Sequence, residues 1–311
     1  MGTIGSVGII GLGYIGLPTA AVLARAGHSV IGIDVNPKIV DRINAGEIHI
    51  EETDLDWLVR DMVNVGRLRA STEVPQAEVY VVAVPTPLGE GRSPDISYVE
   101  AAVRAIAPAL RPGCCVIIES TSPVGTTEQA AEILRVERPD LAVPGADGEG
   151  PHDIAIAYCP ERVLPGRIII ELVANDRVIG GLTPACAARA KEFYETFVEG
   201  DCIATTARTA EAVKLVENSF RDVNIAFANE LSMVAEELAF DVWDVIRLAN
   251  RHPRVNILQP GPGVGGHCIA VDPQSVVSFP LRNQAMLCVV AVLVVLVARS
   301  PALTLQRRAP T

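Results

Sequence analysis

The sequence lacks the cysteine pairs and metal-ligand spacings that hold many small scaffolds together. Its seven cysteines are odd in number, and no two of them are spaced C-x-x-C. We therefore expect neither a disulfide framework nor a structural zinc, and a reducing, cytoplasmic setting fits best. The histidines and acidic residues show no H-E-x-x-H or similar spacing, so we expect no bound metal. The apolar N-terminal run has no basic flank, which favours a strand over a signal peptide.

Positive charge and long apolar runs are also scarce. Lys and Arg number 26 against 37 Asp and Glu, which gives a net charge of −11. A chain this acidic is a poor match for nucleic acid, and an anionic ligand needs a local pocket that overcomes the overall field. The fourteen-residue apolar run at 285–298 is shorter than the roughly 20 residues of a bilayer crossing, so we expect no membrane association. Hydrophobic residues make up 49% of the 311 residues, which excludes a disordered chain and predicts about two domains.

Acidic residues are missing altogether from the end of the sequence. All 37 lie at or before Asp272, and the last 39 residues carry four arginines instead. One interpretation is a buried helix or strand near 285–298. The other is a tail, placed at residues 283–311, whose sequence no longer belongs with what precedes it because of a shifted reading frame or a decayed gene.

Short apolar strands alternate with helical patterns over the first two thirds of the chain. Strands are predicted at 6–10, 29–33, 79–84, 114–119, 153–158, 177–180 and 201–206. Helices are predicted at 15–26, 37–45, 54–64, 97–110 and 126–135, and another begins at Thr183-Pro184. This alternation is typical of an α/β fold with a doubly wound parallel sheet. We therefore predict a Rossmann-type domain over residues 1–207.

One long helix is predicted after that domain. Residues 209–240 contain no Pro or Gly, and apolar positions recur at helical spacing over about 45 Å. Such a helix bridges domains or forms a subunit interface, so we expect a homodimer through it. A shorter helix follows near 242–250, and together they predict a small central helical domain over residues 208–282.

A glycine motif at the start of the chain predicts a dinucleotide site. Gly11, Gly13 and Gly16 form G-x-G-x-x-G between a strand and a helix, and Asp34 closes the second strand. The glycines let the backbone approach a pyrophosphate at the helix N-terminus. A carboxylate at Asp34 accepts hydrogen bonds from ribose hydroxyls and repels a 2′-phosphate, which favours NAD over NADP.

A glycine-rich loop predicts a nucleophile. Cys268 lies in GPGVGGHC, where free backbone N–H groups and a nearby helix start favour the thiolate. A thiolate adds to an aldehyde to give a thiohemiacetal, whose oxidation gives a thioester. The other six cysteines are interpreted as structural.

Polar residues elsewhere are candidates for the same chemistry. Lys214, Asn218 and Arg221 share one face of the long helix, and a partly desolvated lysine beside an amide can hold an alkoxide or take its proton. A solvated helix face is the competing interpretation of that stripe. Glu161 and Thr121 follow strands, where a doubly wound sheet places its ligands. The remaining candidates are His252 and Arg254, which are cationic candidates for binding a diphosphate.

Taken together, the chain resembles the UDP-glucose/GDP-mannose dehydrogenase family, and its UDP-N-acetyl-D-mannosamine branch most closely. The segments that carry the resemblance are GLGYIGLP, VAVPTP, ESTSPVGTT, AYCPERVLPG, NDRVIGG, RTAEAVKLVENSFRDVNIAFANEL and LANRHPRVNILQPGPGVGGHCIAVDP, within residues 6–273. The resemblance implies oxidation of the C6 alcohol of a UDP-sugar to a carboxylate, with two NAD reduced per sugar, in polysaccharide biosynthesis.

The resemblance also implies roles for individual residues. Cys268 matches the nucleophile and Lys214 the general acid/base, and Asp272 supports these two residues. Asn218 helps to hold the oxyanion, and Glu161 serves thioester hydrolysis. The residues implied to bind NAD are Tyr14, Ile15, Asp34, Thr86 and Thr127. The residues implied to bind the nucleotide sugar are Arg162, Val163, Lys214, Asn218, Arg221, His252, Arg254 and Gly265.

Two departures from the family pattern leave alternatives open. Pro165 stands where the UDP-glucose branch has a second glutamate, which favours the acetamido-sugar branch over UDP-glucose. The resemblance stops near Gln274, where the family continues into a second Rossmann-like domain that binds UDP. An inactive NAD-binding relative therefore stays an alternative. A two-electron 3-hydroxyacid-type dehydrogenase is a third hypothesis, although it has no use for Cys268.

Overall fold

The computed structural model describes residues 5–87, 94–145 and 152–262. Within them the chain forms one eight-stranded sheet in the order β3-β2-β1-β4-β5-β6-β7-β8. The strands are β1 (Ser6–Ile10), β2 (Ser29–Ile33), β3 (Leu68–Ser71), β4 (Val79–Val82), β5 (Cys115–Ile118), β6 (Ala155–Tyr158), β7 (Arg177–Gly181) and β8 (Cys202–Thr206). The helices are α1 (Gly16–Arg25), α2 (Pro37–Asn44), α3 (Leu55–Asn64), α4 (Ser97–Ile106), α5 (Thr126–Glu137), α6 (Ile168–Ala174), α7 (Pro184–Tyr194), α8 (Ala207–Leu238) and α9 (Val242–Ala249).

The predicted α/β architecture is confirmed, but the sheet is not wholly parallel. Neighbours from β3 to β6 pair in parallel, as do β7 and β8, whereas β7 runs antiparallel to β6, with Ala157 opposite Gly181. The expectation of an all-parallel sheet is therefore wrong at this pair. The segment from residue 159 to 176 holds only the seven-residue α6, which packs on α1, and the chain re-enters the sheet at the edge where β6 ends. Arg177, the first residue of β7, thus lies at the carboxyl ends of β5 and β6.

Both faces of the sheet are covered by helices. Along β5 the side chains alternate, so that Ile117 joins one core cluster with α1, α3 and α7, and Ile118 joins the other with α4 and α5. The central strands β4, β5 and β6 are consequently buried on both faces, which is why they form near-continuous apolar runs in the sequence.

The long helix is confirmed with slightly shifted ends. It begins at Ala207, where the Thr206 hydroxyl accepts the Thr209 N–H at 3.2 Å, and it ends at Leu238 before Ala239, whose φ is 57°. Its 32 residues span about 48 Å. The predicted boundary after residue 207 falls at its start, although the division into domains stays a prediction. The predicted tail at 283–311 lies outside the described residues.

Candidate active site

The turn between β1 and α1 is shaped by three glycines. Gly11 has a φ of +93°, which side chains rarely adopt, and a Cβ there would lie 2.7 Å from the Ala83 carbonyl oxygen. A Cβ on Gly16 would collide with the Gly11 carbonyl oxygen. At Gly13, by contrast, a Cβ would meet no described atom within 4 Å. Two glycines therefore close the turn, and the third leaves the backbone open to a ligand such as a pyrophosphate.

Asp34 follows β2, and backbone donors fix its carboxylate beside this turn. Its Oδ2 accepts the Leu12 N–H at 3.1 Å and its Oδ1 accepts the Asn36 N–H at 2.9 Å. Burial lowers the pKa of nearby His49, against the attraction of Asp34. The imidazole is therefore neutral near neutral pH and does not pair with the carboxylate. Asp34 stands where the dinucleotide motif places its ribose acceptor, so the residues present fit NAD.

The other predicted NAD residues near this turn differ in exposure. Tyr14 is 56% exposed, whereas Ile15 and Thr86 are half-buried. Thr86 follows β4 and lies three residues beyond Ala83, which contacts the turn. Tyr14 and Ile15 thus lie within the glycine turn, and Thr86 lies in the loop that follows the strand next to it.

Thr127 is bonded to the long helix rather than facing an open site. Its N–H and hydroxyl donate to Glu211 Oε1 at 2.8 and 2.6 Å, and the Gly125 N–H donates to Glu211 Oε2 at 2.7 Å. Glu211 is fully buried; burial raises the pKa of its carboxyl, and these three donors oppose that shift. The sequence did not single out Glu211, a residue of α8 whose carboxylate accepts from N–H groups at the N-terminus of α5.

The loop before α5 is also bonded to its neighbours. The Ser120 hydroxyl donates to the Val84 carbonyl oxygen at 2.8 Å, and the Ser122 hydroxyl donates to the Ser120 carbonyl oxygen at 2.9 Å. Thr121 is half-buried between them. Thr121 and Thr86 therefore lie in loops that are bonded to each other at the carboxyl ends of β4 and β5.

The long helix also reaches the loop after β6. The Lys214 ammonium group donates to the Glu161 carbonyl oxygen at 2.6 Å, and one turn further Glu217 pairs with Arg162 at 2.6 Å. Lys214 and Glu161, both singled out from the sequence, are thus in direct contact. Arg162 also donates to the Asp176 carbonyl oxygen at 3.3 Å.

A buried group behind Glu161 was missed in the sequence. Glu161 is 7% exposed; its Oε2 accepts from Arg177 Nη1 at 2.9 Å and its Oε1 accepts the Arg162 N–H at 2.6 Å. Behind this pair the Tyr194 hydroxyl donates to Glu119 Oε1 at 2.7 Å. The available signal was a charged residue at the margin of an apolar strand: Glu119 ends CCVIIE and Arg177 begins RVIGG.

The predicted sugar-binding residues are spread from the core to the surface. Asn218 is 5% exposed, Val163 is half-buried against the core, and Arg221 is exposed, so the predicted stripe of α8 runs from buried to open. His252 and Arg254 follow α9 and are exposed. Within the described residues, no hydrogen bond or ion pair joins Arg221, His252 or Arg254 to the Lys214–Glu161 contact. The predicted Cys268, Asp272 and Gly265 lie outside the described residues.

The fold and the glycine turn define a Rossmann-type dinucleotide-binding protein whose ligand edge is contacted by one long helix. The family model for the NAD-binding domain of the UDP-glucose/GDP-mannose dehydrogenases matches residues 5–198, and the model for their central domain matches residues 208–291. The chain belongs to the UDP-glucose/GDP-mannose dehydrogenase family, and NAD is the cofactor of its N-terminal domain.

Individual relatives are closely similar over most of this chain. A UDP-N-acetyl-D-mannosamine dehydrogenase of Escherichia coli is 60% identical over 273 residues, which are 88% of this chain and 65% of that protein. An NDP-N-acetyl-D-galactosaminuronic acid dehydrogenase of Ralstonia nicotianae is 60% identical over 272 residues, 88% and 64% of the two chains. The structure of a UDP-D-ManNAc dehydrogenase from Pyrococcus horikoshii matches with a TM-score of 0.83 and 42% identity over 89% of this chain and 65% of that one. The chain therefore spans less than two thirds of the length of these relatives.

The described residues carry neither a membrane-spanning helix nor a metal-binding cluster. No helix among residues 5–87, 94–145 and 152–262 is long and apolar enough to cross a membrane. In the same part of the chain, no three His, Cys, Asp or Glu side chains are grouped so that they could hold a metal ion.

Proposed function

We propose that this chain serves the NAD-dependent oxidation of UDP-N-acetyl-D-mannosamine at C6, through the aldehyde, to the uronate. The observation that carries the proposal is the Lys214–Glu161 contact, in a chain 60% identical to a dehydrogenase named for that sugar. The contact brings Lys214, which is proposed to take the alcohol proton, next to Glu161, which is proposed to serve hydrolysis. Both lie at the edge of the sheet where doubly wound folds bind their ligands.

The cofactor is proposed to lie along the carboxyl ends of β1, β2 and β4. Gly11, Gly13 and Gly16 admit its pyrophosphate, and Asp34 accepts from the ribose hydroxyls. Tyr14, Ile15 and Thr86 line the same turn. When bound, NAD accepts hydride from the sugar carbon, twice for each sugar. Thr127 is proposed to act indirectly, because Glu211 occupies both its hydrogen-bond donors.

The first oxidation needs a group that accepts the proton of the C6 alcohol. Lys214 is half-buried and bonded to a carbonyl oxygen. Its neutral amine form is proposed to take the alcohol proton, and the ammonium group so formed to stabilise the negative charge that develops on the oxygen. Asn218, one turn along α8, is proposed to donate to the same oxygen. Thr121 is proposed to orient the water molecule or the cofactor from the loop after β5.

The second oxidation is proposed to proceed on Cys268, supported by Asp272. The thiolate adds to the aldehyde, the resulting thiohemiacetal is oxidised to a thioester, and water then cleaves the thioester to the carboxylate and the free thiol. Glu161 is proposed to serve this hydrolysis. Since Arg177 and the Arg162 N–H occupy its two oxygens, Glu161 acts as a fixed negative charge that orients the water.

The nucleotide sugar is proposed to bind across the open side of α8. The proposed contacts are Arg162, Val163, Lys214, Asn218, Arg221, His252, Arg254 and Gly265. The exposed Arg221 and Arg254 supply positive charge for a diphosphate on an otherwise acidic protein, and the exposed His252 is proposed to add a hydrogen bond.

A homodimer is proposed through α8. Val216, Phe220, Val223 and Phe227 follow one another at helical spacing and are 40–68% exposed; we name them the α8 stripe. Contiguous exposed apolar side chains of this size are typical of an interaction surface. A second copy of the same helix buries the stripe by symmetry.

The test is the amount of NADH formed per UDP-N-acetylmannosamine consumed by the purified chain. Two NADH per sugar establish the four-electron chemistry, and no NADH from folded protein establishes the alternative of an inactive relative. The similarity to the N-acetylgalactosaminuronic acid enzyme favours a second candidate substrate, the corresponding nucleotide-linked N-acetylgalactosamine. Ratios of kcat/KM for the two acetamido sugars and for UDP-glucose decide among them.

A further inference from the structure

A buried cluster of four polar side chains lies behind the Lys214–Glu161 contact. Glu119 follows β5, Arg177 begins β7, Tyr194 ends α7, and each is at most 3% exposed. Arg177 is bonded to Glu161 at 2.9 Å, Tyr194 is bonded to Glu119 at 2.7 Å, and the guanidinium carbon of Arg177 lies 5.7 Å from the Tyr194 ring centroid. Two carboxyl groups and one guanidinium therefore lie together in the interior, and Glu161, at 7% exposed, is the most accessible of the four side chains.

The four side chains of this cluster are together neutral only if they hold one additional proton. The Lys214 ammonium group lies outside the cluster, on the backbone carbonyl oxygen of Glu161. Arg177 supplies one positive charge, while Glu119 and Glu161 would supply two negative charges when both are ionised. An uncompensated buried charge is costly in a low-dielectric interior, so one of the groups is expected to be neutral. Glu119 Oε2 is buried and has no hydrogen-bond partner among the described residues, a position that a neutral carboxyl tolerates better than a carboxylate.

The surroundings of each group assign that proton to Glu119. Both oxygens of Glu161 accept hydrogen bonds from N–H donors, whereas Glu119 has one oxygen without such a donor among the described residues. Burial raises the pKa of the Cys159 thiol to about 12 and the pKa of the Tyr194 hydroxyl well above its usual value, so both keep their protons. Burial and then the negative charge of Glu161 raise the pKa of Glu119 to about 7, against the attraction of Arg177 and the Tyr194 hydrogen bond.

We propose that Glu119 is a positioning residue for Glu161, because the proton it carries leaves Glu161 as the one carboxylate of the cluster that competes for Arg177. This inference rests on the proposed role of Glu161 in hydrolysis. Loss of the proton places a second carboxylate beside Arg177 and repels Glu161. The hydrolysis step then slows about tenfold for each pH unit above the transition.

The first test does not depend on activity. The free energy of unfolding of the full chain is measured against pH for the wild type, for Glu119→Gln and for the exposed control Glu73→Gln. When the pKa of a carboxyl is higher in the folded than in the unfolded state, the free energy of unfolding of the protein falls as pH rises towards the folded-state pKa, here about 7. The decline is expected in the wild type and the control and is expected to be smaller in Glu119→Gln. Parallel curves for all three proteins would overturn the proposal.

A second variant separates proton binding from simple packing. Tyr194→Phe keeps the ring over Arg177 and removes the hydroxyl that donates to Glu119. The pH transition assigned to Glu119 is expected to move to higher pH, because the ionised form has lost a donor. A uniform loss of stability with an unmoved transition would count against Glu119 as the titrating group.

The third test measures the hydrolysis step itself. With UDP-N-acetylmannosamine as substrate, decay of the sugar ester on the protein is followed by intact mass across the same pH range. The wild type is expected to slow above neutrality and Glu119→Gln to keep a constant rate. The same alkaline fall in both proteins would overturn the proposal.

Failure of the proposed function gives a different result. The wild type would then form no NADH, and the link between Glu119 and Glu161 would be measured by the coupling between Glu119→Gln and Glu161→Gln in unfolding free energy. That coupling is expected to change across the Glu119 transition. A coupling of zero at every pH would contradict the inference in an inactive protein too.

Discussion

The ammonium group of Lys214 lies 2.6 Å from the backbone carbonyl oxygen of Glu161. The contact joins α8 to the loop after β6 through a main-chain atom, so its geometry does not depend on the rotamer of the glutamate. The cation therefore lies beside the Glu161 carboxylate without pairing with it, since Arg177 and the Arg162 N–H take the two oxygens.

Replacing Lys214 with Met is expected to abolish most activity and to spare the fold. General acid/base groups contribute about 10²–10⁴-fold, whereas one hydrogen bond from a charged donor contributes about 1.5–3 kcal/mol to stability. NADH formation and the thermal midpoint of unfolding measure the two effects. Lys191→Met, at a half-buried position of α7 where Lys191 pairs with Glu195 at 3.6 Å, is the matched control. Activity within a few-fold of the wild type would remove Lys214 from the chemistry.

Replacing Asp34 with Asn is expected to weaken NAD binding by about 10–100-fold and to narrow the preference for NAD over NADP. The amide loses the charge that strengthens hydrogen bonds to ribose hydroxyls and that repels a 2′-phosphate. Titration calorimetry with each dinucleotide measures the change. Asp41→Asn on exposed α2 is the control. Unchanged affinity for both dinucleotides would place the ribose elsewhere.

Replacing Glu211 with Ala is expected to lower the free energy of unfolding by about 2–4 kcal/mol. The change leaves the N–H groups of Gly125 and Thr127 without their acceptor at the start of α5, and each unsatisfied buried group costs about 1–3 kcal/mol. Denaturant titration gives the value. Glu236→Ala, exposed on the same helix, is expected to stay within about 0.5 kcal/mol of the wild type. Equal stability of both variants would show that Glu211 is dispensable.

Placing charge on the α8 stripe is expected to dissociate the proposed dimer. Phe220→Glu combined with Val223→Glu buries two carboxylates in an apolar interface and is expected to raise the dissociation constant at least about 100-fold. Sedimentation equilibrium measures it. Glu236→Lys, on the opposite side of α8, leaves the stripe intact. A monomeric wild type, or a double variant that stays dimeric, would refute an interface at this stripe.

The elements that the sequence predicts well have strong local signals. The glycine turn and Asp34 lie within one strand-helix-strand unit, and α8 is a long run without Pro or Gly. β3 (Leu68–Ser71) was not predicted because only two of its four residues are buried, as in an edge strand. α6 escaped because IIIELVA is seven residues long, and a short apolar run does not distinguish a helix from a strand.

The parts of the site that were not predicted depend on contacts far apart in the chain. Glu119 and Tyr194 are 75 residues apart, and Glu211 and Thr127 are 84 residues apart. No periodicity or spacing connects such pairs, because the sheet order that unites them is set by the packing of the whole domain. The direction of β7 could not be predicted for the same reason. A segment that connects to a parallel strand and one that connects to an antiparallel strand have similar compositions.

The reversal of β7 affects how this site tolerates change in its surroundings. In a parallel strand the residue nearest the ligand comes last, so an insertion in the loop that follows displaces it. Arg177 comes first in β7, and the strand then leads away from the ligand edge. Insertions or deletions between β7 and α7 therefore alter the far side of the domain and leave the Arg177–Glu161 ion pair in place. Insertions or deletions within residues 159–176, by contrast, directly change the position of Arg177 relative to Glu161.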